Sequence, residues 1–302
     1  MPTRPAAATA LAIALTATLV GAAVPAIADD DPLGTIAIAP GATVTIGGWG
    51  SLSGTEAGTT EEWMNAADLA IAQHGATLAS HPLVLRRVDA GCSQDGGAAA
   101  AAQLVADASV VALLGANCSG ETLGGIAAVS AAGLTTISPS NTLSAFTAAD
   151  RGPDLAGYLR TVPSDAVLAT VAATFAHGTL GAATAVAIGD GSTYSTDLVT
   201  MFGSAFTSLG GTVAASLVVG DGGSTIPDAL AAAGDQAPDV LFLALLPDDG
   251  ADTVDGIADV PALAGVRVIG GDGLFTQEFV AAAGPAALGV YVTGPAFGMY
   301  AP

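Results

Sequence analysis

Lysine is missing altogether from this 302-residue chain; its six basic residues are all arginine, against 27 acidic ones. Without lysine there is no phosphate-gripping P-loop lysine, no Schiff base to a carbonyl cofactor and no lysine general base. A formal charge of -21 also excludes a phosphate-backbone binder, because nucleic-acid affinity rests on cations that neutralise phosphates. Charged residues are scarce at 11%, aromatics scarcer at 5%, and cysteine occurs only as Cys92 and Cys118. Those thiols and the scattered His74, His81 and His177 have no zinc-ligand spacing, so no metal centre and no cofactor is expected. What the chain has in abundance is apolar residues, 51%, and 40 glycines. High net charge makes a chain disordered only beside low hydrophobicity, so a folded protein of one large or two smaller domains is expected.

Residues 1–28 read as a secretory signal peptide. Arg4 precedes an apolar stretch from Ala6 to Val24, and Ala26-Ile27-Ala28 makes a small-x-small site ahead of Asp29-Asp30-Asp31. Cleavage after Ala28 takes away one cation and no acid, moving the charge from -21 to -22. An uncleaved membrane anchor is the alternative. No cysteine adjoins the site, so a lipobox is absent, and no later segment is long and apolar enough to span a bilayer. The expected product is exported, periplasmic or extracellular. In such an oxidising compartment Cys92 and Cys118 are a disulfide candidate. The link would be worth about 3 kcal/mol in the chain-entropy account; two free buried thiols are the alternative.

From Leu33 onward, β-like runs alternate with helical ones. Strands are expected at Val44–Trp49, Leu83–Asp89, Val110–Leu114, Thr135–Ser138, Leu159–Val162, Thr184–Ile188, Val213–Val219, Val240–Ala244, Val266–Ile269 and Gly289–Val292. Helices are expected at Glu61–Gln73, Ala98–Asp107, Glu121–Ala132, Asp165–Phe175, Thr196–Leu209, Pro227–Ala233, Ala251–Ala258 and Gln277–Ala282. In the first helix Trp63, Ala67, Ala70 and Ile71 share a face, and Glu61 falls in the first turn. Continuous apolar strands separated by helices imply mostly parallel sheets covered on both sides. About ten strands exceed one compact doubly wound unit, so two α/β lobes are expected, 33–159 and 160–295, joined by a short hinge. Pro40-Gly41 reads as a turn leading into the first strand.

Ligands of open α/β sheets bind beyond the carboxyl ends of the strands, which singles out four loops. They are Gly50-Ser51-Leu52-Ser53-Gly54, Gly115-Ala116-Asn117-Cys118-Ser119-Gly120-Glu121, Pro139-Ser140-Asn141-Thr142 and Gly270-Gly271-Asp272-Gly273. The second and third offer hydroxyls and free amides at helix starts, which suit a carboxylate. The fourth offers a carboxylate between glycines, which suits an ammonium; a zwitterion satisfies both. Each feature has a plainer alternative: Ser119 and Thr142 as helix N-caps, Asp272 as an Asx-turn residue, and Tyr194 as half-buried packing. The acids Asp248, Asp249, Asp252, Asp255 and Asp259 read as a solvated helix start and face, with no EF-hand spacing. Leu52 stands where a nucleophile elbow needs serine, and no enzyme signature is found.

In these loops, and in Asp89-Ala-Gly-Cys92, Arg160-Thr-Val-Pro, Gly189-Asp-Gly-Ser-Thr-Tyr194 and Gly289-Val-Tyr-Val-Thr, the chain resembles the type 1 periplasmic solute-binding proteins. The likeness is to the leucine/isoleucine/valine-binding group and runs from about Thr43 to Pro295. It implies two Rossmann-like lobes joined by a hinge, no catalysis, and a monomer that delivers a small solute, such as an amino acid, to ABC permease subunits. It implies a Cys92–Cys118 disulfide, Ser119 and Thr142 on the ligand carboxylate with Ser140 nearby, Asp272 on the ammonium, and Tyr194 closing over the ligand. A sensor ectodomain and a receptor for small amides or urea are the alternatives. Thr59 and Leu245-Leu246-Pro247-Asp248 stand where the group often has aromatic residues, which alters the walls around the ligand side chain. The group also continues beyond the strand matched by Gly289–Val292. Residues 296–302 are therefore expected to begin a hinge crossing whose continuation is missing, leaving apolar surface of the first lobe uncovered.

Overall fold

The computed structural model describes residues 36–220 and 222–295. The expected signal peptide and residues 296–302 lie outside them. All helices and strands belong to one compact unit, Ile38–Pro302. Ahead of them the chain turns at Pro40-Gly41, where Gly41 has φ 77°.

Two sheets form. The first contains β1 (Val44–Gly50), β2 (Thr77–Leu78), β3 (His81–Asp89), β4 (Val110–Gly115), β5 (Thr136–Ser138) and β6 (Tyr158–Arg160), in the order β2-β3-β1-β4-β5-β6. The second contains β7 (Thr184–Gly189), β8 (Thr212–Val218), β9 (Val240–Ala244), β10 (Arg267–Gly270) and β11 (Tyr291–Val292), in the order β11-β10-β9-β7-β8. Every pairing is parallel except the β2–β3 hairpin. That hairpin carries no sequence signal, because its turn residues Ala79 and Ser80 take positive φ of 48° and 69° in place of the usual Asn-Gly. The chain thus has the type 1 periplasmic binding fold, with two parallel-sheet lobes.

The helices are α1 (Ala57–Gln73), α2 (Gln94–Val105) and α3 (Ser119–Ala131) around the first sheet. Around the second are α4 (Asp165–Thr174), α5 (Thr193–Ser208), α6 (Ile226–Asp235), α7 (Pro247–Gly256) and α8 (Gln277–Ala283). Helix α1 begins a turn earlier than its apolar period suggests, since Ala-Gly-Thr-Thr is poor in large apolar residues. Glu61 therefore falls outside the first turn, and the helix buries Thr60 and Met64 while Ala70 is exposed.

In the second lobe β9 is buried at every residue, because both faces are covered. Leu241 and Leu243 pack with α6 and α7 residues, and Phe242 stacks on Phe202 of α5 with ring centroids 4.0 Å apart. The first lobe is covered less evenly. Trp49 is buried on the α2–α3 side, its Nε1 donating to Thr136 Oγ1 at 3.1 Å. The opposite face carries α1, and there Ile137 and Leu159 stay 40% and 45% exposed.

Candidate functional site

Each sheet reverses its winding once. From β1 the chain goes to β3 on one side and β4 on the other; from β7 it goes to β8 and then β9. The loops leaving such switch points diverge and open a crevice. The loops after β1, β4, β7, β9 and β10 all line one cavity of about 360 Å³ between the lobes.

The first-lobe wall is organised by Glu121, fully buried in the first turn of α3. Its Oε1 accepts from Ser51 Oγ at 2.7 Å and the Cys92 amide at 2.8 Å; Oε2 accepts from the Asn117 and Cys118 amides at 3.0 and 2.9 Å. The start of α3 is therefore less open to an anion than the sequence suggests, because the chain's own carboxylate already takes two of its amides. Those of Ser119 and Gly120 remain. A Cβ on Gly124 would sit 1.9 Å from the Gln94 carbonyl, so glycine there lets α2 lie against α3. The Cys92–Cys118 disulfide forms with Cα atoms 5.3 Å apart, within the usual reach, and excludes the free-thiol alternative. Asp89 accepts from the Leu52 and Gly91 amides and Ser53 Oγ, which holds its carboxyl below the usual range and fastens the first loop.

Neither Ser119 nor Thr142 caps a helix; the N-cap of α3 is Cys118. Ser119 Oγ donates to Asn141 Oδ1 at 3.1 Å, and Asn141 Nδ2 donates to the Cys118 carbonyl and Thr122 Oγ1. Asn141, which nothing in the sequence singled out, thus braces the β4 and β5 loops together. Ser138 Oγ supports it from below, accepting from the Ser140 and Asn141 amides.

The second-lobe wall is built on Gly271-Asp272-Gly273. Tyr194, in the first turn of α5, donates its hydroxyl to Asp272 Oδ1 at 2.9 Å and accepts from the Gly273 amide at 3.0 Å. A Cβ on Gly273 would lie 2.6 Å from the Leu245 carbonyl and 3.1 Å from the tyrosine oxygen, so glycine is required for that approach. Burial pushes the Asp272 carboxyl up to about 6, against the opposing pull of the tyrosine hydrogen bond. Burial and the neighbouring Asp272 charge push Tyr194 well above 10, so Tyr194 stays a donor.

All five residues selected from sequence, Ser119, Ser140, Thr142, Tyr194 and Asp272, line the cavity. So do Thr59, Leu246 and Pro247, where aromatic residues were noted as missing. Sequence reasoning passed over Glu56, buried at the mouth of α1, whose Oε2 accepts from Asn117 Nδ2 at 3.1 Å. Burial, followed by the charges of Glu121, Glu278 and Asp248, raises its carboxyl above the ordinary range. Its only local sign was an acid just beyond the Gly50–Gly54 loop. Asp165, the first residue of α4, was also missed. It is buried with the Thr142 and Asp197 side chains beside it but neither oxygen in full hydrogen-bond geometry. Burial, then the Asp272 charge and Asp197, push it up to about 8 against the weaker pull of Thr142. Asp197 itself crosses between the lobes, accepting from the Ser144 amide at 2.9 Å. No Arg or His lines the cavity, and no metal-ligating cluster occurs among the described residues.

The family model for periplasmic binding proteins matches residues 43–302, and the chain belongs to that family. Solved structures share its fold. A leucine-binding protein of Thermotoga maritima superposes with a TM-score of 0.71 at 21% identity, over 81% of this chain and 68% of its own. The isoleucine-bound branched-chain amino acid transporter substrate-binding protein of Streptococcus pneumoniae gives 0.72 at 20%, over 83% and 70%. A benzoate-bound ABC transporter solute-binding protein of Rhodopseudomonas palustris gives 0.72 at 22%, over 83% and 68%. No curated protein sequence matches the chain significantly. Among the described residues no helix is long and apolar enough to cross a membrane.

Proposed function

We propose that this protein is the exported solute receptor of an ABC importer and binds an amino acid between its two lobes. The signal peptide is removed after Ala28, the lobes hinge between β6 and α4, and the receptor delivers its solute as a monomer to the permease subunits. The carrying observation is the opposition of Ser119 and Thr142 on one wall to the Tyr194–Asp272 pair on the other, lining one cavity. Hydroxyls and the remaining α3 amides suit a carboxylate, and an ionised Asp272 suits an ammonium. Benzoate, the ligand of one relative, has no group for Asp272, and this favours the amino-acid ligands of the other two. Binding works by preferring the closed arrangement of the lobes; no bond is made or broken.

Isothermal titration of the 20 amino acids into wild-type protein and Asp272→Ala tests this reading. Binding by the wild type, abolished in a variant whose circular dichroism is unchanged, supports it. Equal affinity in the two removes Asp272 from the site.

A further inference from the structure

We infer that the bound solute is a basic amino acid, its side-chain cation received by Glu56 on the first lobe while Asp272 on the second takes the α-ammonium. This rests on the amino-acid reading above and adds the identity of the side chain. Glu56 stands at the N-cap of α1 yet accepts no amide of that helix. One of its oxygens is held by Asn117; Oε1 makes no hydrogen bond. Asn117, on the same wall, must turn Nδ2 toward the carboxylate, which leaves its own buried Oδ1 without a donor. Glu56 Oε1 is thus an unfilled acceptor in the cavity wall, and a group made only of donors fits it.

Charge points the same way. Glu278 and Asp248, at the starts of α8 and α7, act on Glu56 from the other lobe, and a Cβ on Gly58 would lie 3.4 Å from Glu278 Oε1. Among the described residues no cation lines the cavity to offset them. A neutral aliphatic side chain would seal the carboxylate away from water with only Asn117 bonded to it, which is costly. An ammonium or guanidinium supplies both the N–H donors and the charge. It also attracts acids of both lobes, so the same cation favours closure.

The test is calorimetry of the full chain at pH 7.5 with L-lysine, L-arginine, L-leucine and benzoate, repeated on Glu56→Gln. One of the basic amino acids should bind at least tenfold tighter than leucine. Glu56→Gln should remove at least tenfold from that ligand and should not weaken leucine, whose side chain gains nothing from the carboxylate. Leucine binding tighter than both basic ligands overturns the inference and leaves the amino-acid reading standing; so does an unchanged preference in folded Glu56→Gln. If that variant does not fold, the wild-type ratio decides. Benzoate alone binding overturns the amino-acid reading and the inference with it; no titrant binding overturns the inference, and the titration of all 20 amino acids then decides the amino-acid reading.

Discussion

The hydroxyl of Tyr194 and the carboxylate of Asp272, 78 positions apart in the chain, are joined by a hydrogen bond of 2.9 Å that sets where the acid's charge lies. Tyr194→Phe keeps the ring and removes this bond together with the acceptor for the Gly273 amide. Hydrogen bonds to charged groups contribute about 1.5–3 kcal/mol, so ligand affinity should fall roughly 10- to 100-fold, read by calorimetry. An affinity within a factor of two of wild type would make the pair dispensable for binding.

Asp272 can hold an ammonium only when ionised, and its free-state value near 6 sets the pH window. Affinity should be flat above about pH 7. Below about pH 6 it should decline toward tenfold per pH unit, because protons compete with the ligand. Titrations from pH 8 to pH 4.5 in constant salt check this, and a flat profile would place the ammonium elsewhere.

Asp165 should make the fold less stable as pH rises. Its folded value near 8 lies above the model-compound value of 3.8, so the folded state keeps a proton that the unfolded state releases. The associated stability is complete below about pH 4 and is lost as pH rises through about 8. Asp165→Asn, which cannot ionise, should flatten that slope and raise stability at pH 8 by on the order of a few kcal/mol. Urea unfolding at pH 5 and pH 8 measures it; parallel slopes in the two proteins would contradict burial of Asp165 beside Asp272 and Asp197.

Glu121 predicts the opposite kind of loss. Its two oxygens accept four hydrogen bonds, and Gln at this position offers one oxygen and an NH2 that cannot accept. Glu121→Gln should destabilise the protein by about 2–4 kcal/mol at pH 7, two charge-assisted bonds being lost or reversed. Denaturant melts of the oxidised protein test this, and a change below about 0.5 kcal/mol would mean that water or a shifted loop replaces the carboxylate.

Most of the architecture was legible in the chain because it is written locally. Val240–Ala244 has the same bounds in sequence and structure, since a strand buried on both faces must be apolar throughout. Strand ends elsewhere moved by a residue or two, and β2 was missed because Ala79-Ser80 is not a turn signal. Four of the five selected site residues came from loops that leave strand carboxyl ends, a placement that topology dictates, and Tyr194 came from the family resemblance.

Sequence by itself determined the alternation of strands and helices, the lack of any lysine chemistry, and which loops leave strand carboxyl ends. Only the tertiary structure decided what each acid in those loops does. Glu121 is consumed by donors from the loops around it, Ser51, Cys92, Asn117 and Cys118, Asp89 by its neighbouring loops, and Asp272 is steered by a tyrosine. Glu56 keeps an oxygen free, and Asp165 is buried beside two other acids, Asp272 and Asp197. Five carboxylates that look alike in a list of residues differ because desolvation and hydrogen bonding depend on surroundings, and those surroundings come from segments tens of residues away.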